Sequence, residues 1–447
     1  MALISGSVPA GLATGLATAS TADAAGQSRV ARFTTDRVSW DWQCGYPLTV
    51  HGDEKHVYSV RTTRDGVDLF SDAYQVIEVQ TNPQGQSFVL ESRGVFKDLR
   101  GTRVSDTLTE YVDVQNGQPF VFTDMAGRVV SRDRGGIRFS FTYDSSTGEF
   151  GPGSVDFRAN GPHPALGVDF CAIVAPMVGS DSRSHHTPRP LGTTDAAMGY
   201  YEYLPPSYHS SGAKSPLLVV TNGYGENGDG SAAALDNLLG TGIPRYLNIG
   251  GWPTDRPFVV LSTQQVEDPP GFDFSACDFP GATWVGSCAM QQQHDQNHAQ
   301  PAPCTTPDEI HDFITYSVSH YNVDPSRVYL TGLSCGAFGA WEYLATYGAA
   351  QVAAAVPISG DGRPAWASAG CGLGAVPIWS FHGALDDTVN PAGSIEPMTS
   401  LAACPGVTSD RARLTVYPDL FHEGWDQTYS GQFGDDIYSW MLGYTNP

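Results

Sequence analysis

Two patterns of hydrophobic and polar positions divide this 447-residue chain. From residue 28 to 178 the apolar positions come in short, mostly alternating runs, as in HVYSVRTTRDGVDLF, YQVIEVQTNPQGQSFVLES and GIRFSFTYDSSTGEF. Alternation with a period of two marks strands that cover one face. Asp65-Gly66, Asn116-Gly117 and Arg134-Gly135-Gly136 sit between runs, where hairpin turns belong. No stretch shows convincing helical spacing, so the pattern predicts an all-β sandwich or barrel over 28–178.

A polar stretch, GSDSRSHHTPRPLGTTDA, follows and reads as a linker over 179–197. Its His185-His186 pair has no further metal ligand at useful spacing and fits a solvated linker better than a metal site. Beyond it, over 198–447, continuous apolar runs alternate with helical segments. SPLLVVTNG, RPFVVLSTQ, SRVYLTGLS, AAAVPISG, VPIWSFHG and ARLTVYP are the strands. Strands apolar on both sides need cover on both, which predicts an α/β domain: a mostly parallel sheet with helices on both faces. Thr306-Pro307-Asp308-Glu309 opens one helix, with a capping Thr, Pro at the first helical position and Glu at the third.

Composition narrows the partners. The formal net charge is −23, from 24 Lys+Arg against 47 Asp+Glu. Such a chain repels a phosphate backbone and an anionic membrane, so nucleic acid and membrane partners are not expected. Residues 1–25 are small and apolar and end in Ala22-Asp23-Ala24, the shape of a signal-peptidase site, although no basic segment precedes them. Elsewhere there is no apolar run of about 18 residues. Eight cysteines without a C-x-x-C pair fit disulfides and a secreted protein. Cys44 with Cys171 and Cys371 with Cys404 are the expected pairs. A third bridge is expected within the set Cys277, Cys288 and Cys304, leaving Cys335 a buried free thiol.

The chemistry centres on Gly332-Leu333-Ser334-Cys335-Gly336, a G-x-S-x-G between the strand RVYL and the helix GAFGAWEYLATYG. Alone the pentapeptide is common. On a sharp strand-to-helix turn it exposes a nucleophilic serine, and the flanking glycines let strand and helix approach. A serine hydroxyl also needs a histidine to take its proton and a carboxylate to fix that histidine's tautomer, both later in the chain. Asp386 and His422, each in a loop after a strand, meet this order, with Asp387 the alternative acid. His382 precedes the acid and suits a structural role better. His294 and His298 resemble half a metal site but lack the Glu of H-E-x-x-H and a third ligand.

An acyl-transfer site needs two amides aimed at the oxyanion. Cys335 follows the nucleophile and supplies one; Tyr224, in Asn222-Gly223-Tyr224-Gly225 after the strand LLVV, supplies the other. The ring of Tyr224 is also a candidate for substrate binding. A loop of about 40 residues precedes the helix EIHDF, too long for a mere connection. Phe272 and Trp284 within it are candidate substrate contacts, on a lid or aromatic wall.

With these residues placed, the segments YYEYLPPSY, GYGENGDG, NVDPSRVYLTGLSCGAFGAWEYL, PIWSFHGALDDTVNP and LTVYPDLFHEGWDQTY resemble, in order, those of the secreted α/β-hydrolase esterases grouped with polyhydroxybutyrate depolymerases, feruloyl esterases and so-called predicted peptidases. The resemblance covers a little over half the chain. It implies a Ser-Asp-His triad falling on Ser334, Asp386 and His422. The chain departs from the group at Asn222-Gly223, where His-Gly is frequent, at Cys335, where Met or Ala is usual, and at Phe421, where Gly is common. Gly223-Tyr224 is similar to the oxyanion loop of cutinase-like polyester hydrolases. The expected function is a monomeric secreted serine esterase without metal or cofactor, acting on a small-molecule or polymeric ester, of polyester or feruloyl type. A serine peptidase of prolyl-oligopeptidase type and a non-catalytic polymer-binding protein are the alternatives.

Overall fold

The computed structural model describes residues 29–41, 44, 46–147, 149–150, 158–166, 168, 170–209, 212–266, 304–431 and 433–446. These fall into two compact units divided between residues 179 and 180, with residues 42–46 grouped with the second.

The first unit holds β1 (Arg29–Asp41), β2 (Tyr46–Thr62), β3 (Asp68–Thr81), β4 (Ser87–Arg103), β5 (Leu108–Asp124), β6 (Val129–Arg132), β7 (Gly135–Asp144), β8 (Glu149–Phe150) and β9 (Arg158–Asn160). They form one nine-stranded sheet in the order β1-β2-β3-β4-β5-β7-β8, with β6 beside β5 and β9 beside β7. The expected sandwich or barrel is therefore corrected to a single sheet: among the described residues its end strands do not pair, and alternation records a covered face but not closure. Asn116-Gly117 is not a turn either. It lies inside β5, opposite Val95 and Gly94 on one side and Gly136 and Gly135 on the other. Gly117 has φ 137°, and a Cβ there would strike the backbone of Arg93 and Gly94. The glycine serves close backbone approach within the sheet.

This unit also contains a helix the sequence pattern did not show, α1 (Phe170–Val178). Its sequence FCAIVAPMV is apolar nearly throughout and carries Pro176, so it has no polar face to give a period. Cys171, Ile173, Val174 and Val178 are buried, and the Phe170 ring packs against Phe122 at 5.8 Å and Phe88 at 6.3 Å.

The second unit is a three-layer α/β structure. Its eight strands run β10 (His186–Arg189), β11 (Tyr200–Tyr203), β12 (Ser215–Thr221), β13 (Val259–Thr263), β14 (Val323–Leu333), β15 (Ala354–Ile358), β16 (Ile378–Gly383) and β17 (Ala412–Tyr417), ordered β10-β11-β13-β12-β14-β15-β16-β17. β10, β11 and β13 pair antiparallel; the rest are parallel. Among the described residues its α-helices are α2 (Gly242–Ile249), α3 (Pro307–His320), α4 (Cys335–Tyr347), α5 (Arg363–Ala369), α6 (Ala392–Ala402), α7 (Trp425–Ser430) and α8 (Ile437–Leu442). Successive strand residues feed opposite cores. Leu217, Val219 and Leu330 join Phe313 of α3 and Trp341 of α4, while Leu218, Val220 and Tyr329 join Leu247 of α2 and Met441 of α8. This double burial explains the unbroken apolar runs.

The stretch expected as a linker belongs to this unit. Ser182 is fully buried and donates to the Leu247 carbonyl at 2.8 Å, and His186–Arg189 forms the edge strand β10. Its polar side chains hid a backbone that completes a sheet edge. His186 packs 4.5 Å from Tyr201, and burial pushes its pKa down to about 3. Cys371 bonds Cys404 as expected, and Cys44 and Cys171 are both disulfide-bonded. Cys335 is not a free thiol; it bonds Cys304 across 31 residues. Cys277 and Cys288 lie outside the described residues.

Candidate active site

The parallel order reverses at β12, with β13 on one side and β14 on the other. Open α/β sheets form ligand crevices at the C-terminal ends of the strands flanking such a reversal. Ser334 stands at the end of β14 with φ 49° and ψ −116°, a backbone that non-glycine residues rarely adopt. Two neighbours must be glycine. A Cβ on Gly332 would strike the Thr221 side chain and the Gly336 backbone, and one on Gly336 would strike the Thr221 and Asn222 carbonyls. The Thr221 hydroxyl donates to the Gly336 carbonyl at 2.9 Å, tying α4 to β12.

The three chemical residues meet in one line. His422 Nε2 lies 2.9 Å from Ser334 Oγ, and His422 Nδ1 lies 2.8 Å from Asp386 Oδ2. Asp386 is buried and its Oδ1 accepts from the Thr388 and Val389 amides at 2.9 and 2.8 Å. Asp387 is exposed, and of the two adjacent acids it is Asp386 that the histidine contacts. Burial works to raise the Asp386 pKa, but hydrogen bonds from His382, His422 and Val389 outweigh it and hold the carboxyl well below the usual range. An anionic carboxylate on Nδ1 keeps the hydrogen there and leaves Nε2 as the acceptor facing the serine. Trp425 stands edge-on to His422 at 5.1 Å and is itself fixed by a 2.8 Å bond to the Thr241 hydroxyl.

Cys335 is the first residue of α4, where helical amides have no acceptor within the helix. Tyr224 begins a single 3₁₀ turn, Tyr224–Glu226, after β12, and is 41% exposed. Sequence reasoning missed what holds this turn. Asn222, buried, donates to the Gly223 carbonyl and Asn227 Oδ1, both at 2.8 Å, and accepts from the Gln265 amide at 2.8 Å. The polar run N-G-Y-G-E-N was the available signal, since a short asparagine before glycine commonly bonds its own loop. Phe272, Trp284, His294 and His298 lie outside the described residues.

Next to Trp425, Asp426 is a half-buried acid that accepts from the Tyr246 hydroxyl at 3.4 Å. Burial, opposed by the charge of Arg245, raises its pKa from 3.8 to about 6. The unfolded group titrates at about 3.9, so the folded state binds more protons between about pH 4 and 6, and stability falls across that window as pH rises. The full penalty above pH 6 is about 3 kcal/mol, at about 1.4 kcal/mol for each tenfold gain in proton affinity on folding. Asp426→Asn is expected to be more stable than the parent at pH 7 and to lose this pH dependence in urea unfolding at pH 4 to 7.

No family model matches the chain, and no curated protein does. Among solved structures it is similar to a thermostable esterase, at 18% identity and a TM-score of 0.41, over 94% of this chain and 90% of the other. It is also similar to an acetyl xylan esterase from Aspergillus awamori, at 16% identity and 0.34, over 55% and 98%. A puromycin-hydrolyzing peptidase from Mycobacterium tuberculosis is similar at 10% identity and 0.39, over 92% and 79%.

Proposed function

We propose that the chain is a secreted carboxylic ester hydrolase working through an acyl-enzyme on Ser334. The observation that carries this is the unbroken hydrogen-bonded line from Asp386 through His422 to Ser334 Oγ. Ser334 Oγ attacks the ester carbonyl carbon while His422 Nε2 takes its proton. The amides of Tyr224 and Cys335 stabilise the resulting oxyanion. Collapse breaks the bond to the alcohol, which leaves with the proton from His422. Water, deprotonated by His422, then attacks the acyl carbon; the bond from that carbon to Ser334 Oγ breaks, the carboxylic acid leaves and His422 returns the proton to Oγ.

Disulfides support an oxidising compartment. Tyr224, Leu385 and Phe421, respectively 41, 47 and 60% exposed, belong to the segments that carry the site, and they favour an ester with an apolar body, of polyester or feruloyl type. A fluorophosphonate probe should label the parent at Ser334 and leave Ser334→Ala unlabelled; equal labelling of both would refute the mechanism. Turnover of a nitrophenyl acyl ester should exceed that of a peptide anilide, and dominant anilide cleavage would make the protein a peptidase.

A further inference from the structure

His382 lies at the end of β16, fully buried, and the reaction above assigns it no step. Its Nε2 is 3.0 Å from the Val389 carbonyl and 3.1 Å from Asp386 Oδ2. Both neighbours are acceptors, so Nε2 carries the hydrogen. Its Nδ1 is 2.8 Å from Ser394 Oγ on α6, and the Ser380 hydroxyl donates to Ser394 at 3.1 Å. Ser394 must therefore donate to Nδ1, which fixes both the ring's tautomer and its angle. Asp386 Oδ2 receives the His422 N–H and lies 3.1 Å from His382 Nε2, whose one hydrogen it shares with the Val389 carbonyl, while Oδ1 receives two amides. A carboxylate has roughly four acceptor positions: three take a full hydrogen bond and the fourth faces the shared His382 hydrogen.

We infer that His382 is a positioning residue for the catalytic acid: held by Ser394, it fixes the Asp386 carboxylate, and the Val389 turn beyond it, so that Oδ2 meets the Nδ1–H of His422. The inference rests on the proposed triad. Asp386 stands in a loop between β16 and α6, where backbone alone holds a side chain loosely. A second ring on the oxygen that His422 uses removes the carboxylate's rotation. It also shares the negative charge, so Asp386 presents His422 with a fixed and moderated acceptor. Serine followed by a strand-end histidine gave no sequence signal for this, because the partner Ser394 is 12 residues on and in a helix.

The experiment compares the full chain with Ser334→Ala, His382→Phe, His382→Gln and Ser394→Ala. The readouts are kcat and KM on a nitrophenyl ester and the downfield proton resonance of His422 Nδ1–H. Phenylalanine keeps the volume and removes the donor. It should lower kcat roughly ten- to hundredfold, the range for a lost hydrogen bond to a charged group, at unchanged KM, and shift the resonance. Glutamine, whose amide reaches the Nε2 position, should restore kcat to within about fivefold of the parent, and Ser394→Ala should lose about three- to tenfold. Parent-like kcat in folded His382→Phe, or equal losses with Phe and Gln, would overturn the inference. If His382→Phe does not fold, parent-like kcat and resonance in Ser394→Ala overturn it, and lowered kcat at unchanged KM supports it. Activity retained in Ser334→Ala overturns the triad and this inference together. Activity lost there but kept in His382→Phe overturns this inference alone.

Discussion

Asp386→Asn is expected to lower kcat by about four orders of magnitude, while Asp387→Asn stays within about twofold of the parent. The substitution is nearly isosteric, so the loss is chemical. Four donor groups face the Asp386 carboxylate: two amides on Oδ1 and, on Oδ2, the His422 N–H and a His382 N–H shared with the Val389 carbonyl. An asparagine must turn its own N–H groups toward one of these pairs. Turned toward Oδ2's partners, it forces the hydrogen of His422 onto Nε2, where it faces Ser334 and can no longer accept the serine proton. Turned the other way, it opposes the Thr388 and Val389 amides and loosens the loop. Asp387 is exposed and supports neither contact. Steady-state turnover of a nitrophenyl ester, with circular dichroism to verify folding, separates the two carboxylates. A parent-like Asp386→Asn would sink the assignment.

The second large effect concerns the bond between Cys304 and Cys335. Opening it by Cys304→Ala with Cys335→Ala is expected to cost about 3–4 kcal/mol, from the loop of 31 residues released in the unfolded chain. The bond also sits within the site. Cys304, Cys335, Phe338 and Val389 form one buried cluster, and Val389 gives its amide to Asp386 and its carbonyl to His382. Turnover should therefore fall as well as stability. The pair Cys371 and Cys404 closes a loop of similar length, 33 residues, and Cys404 belongs to a different buried cluster. Removing it should cost similar stability in urea unfolding and leave kcat of the folded protein unchanged. Equal kcat losses from both pairs would mean that the first disulfide has no special hold on the site.

How much the sequence disclosed depended on which physical signal each element left. The parallel strands stood out because each is buried on both faces, and α3 because Thr306 and Glu309 cap each other through bonds of 3.3 and 2.8 Å. Ser334, Asp386 and His422 were findable because each follows a strand, which places strand ends at one edge of the sheet. The failures share a cause. The α1 segment is apolar without a face, the 179–197 stretch is polar but fills a sheet edge through its backbone, and Gly117 permits contact where a turn was expected. Cys335 was misassigned because a partner 31 residues away leaves no local trace. In each case the deciding contact is tertiary, and local periodicity carries no record of it.

The backbone of Ser334 has a consequence for how this chain can change over generations. A residue other than glycine held at φ 49° and ψ −116° costs of order 1–3 kcal/mol, and glycine would relieve it. For folding alone, then, serine is a poor occupant of position 334, and under the proposed mechanism turnover is what maintains it there. A lineage released from the need for that turnover would gain stability by exchanging this serine for glycine. Loss of the proposed nucleophile is thus downhill in stability, so keeping it requires a counteracting demand for function.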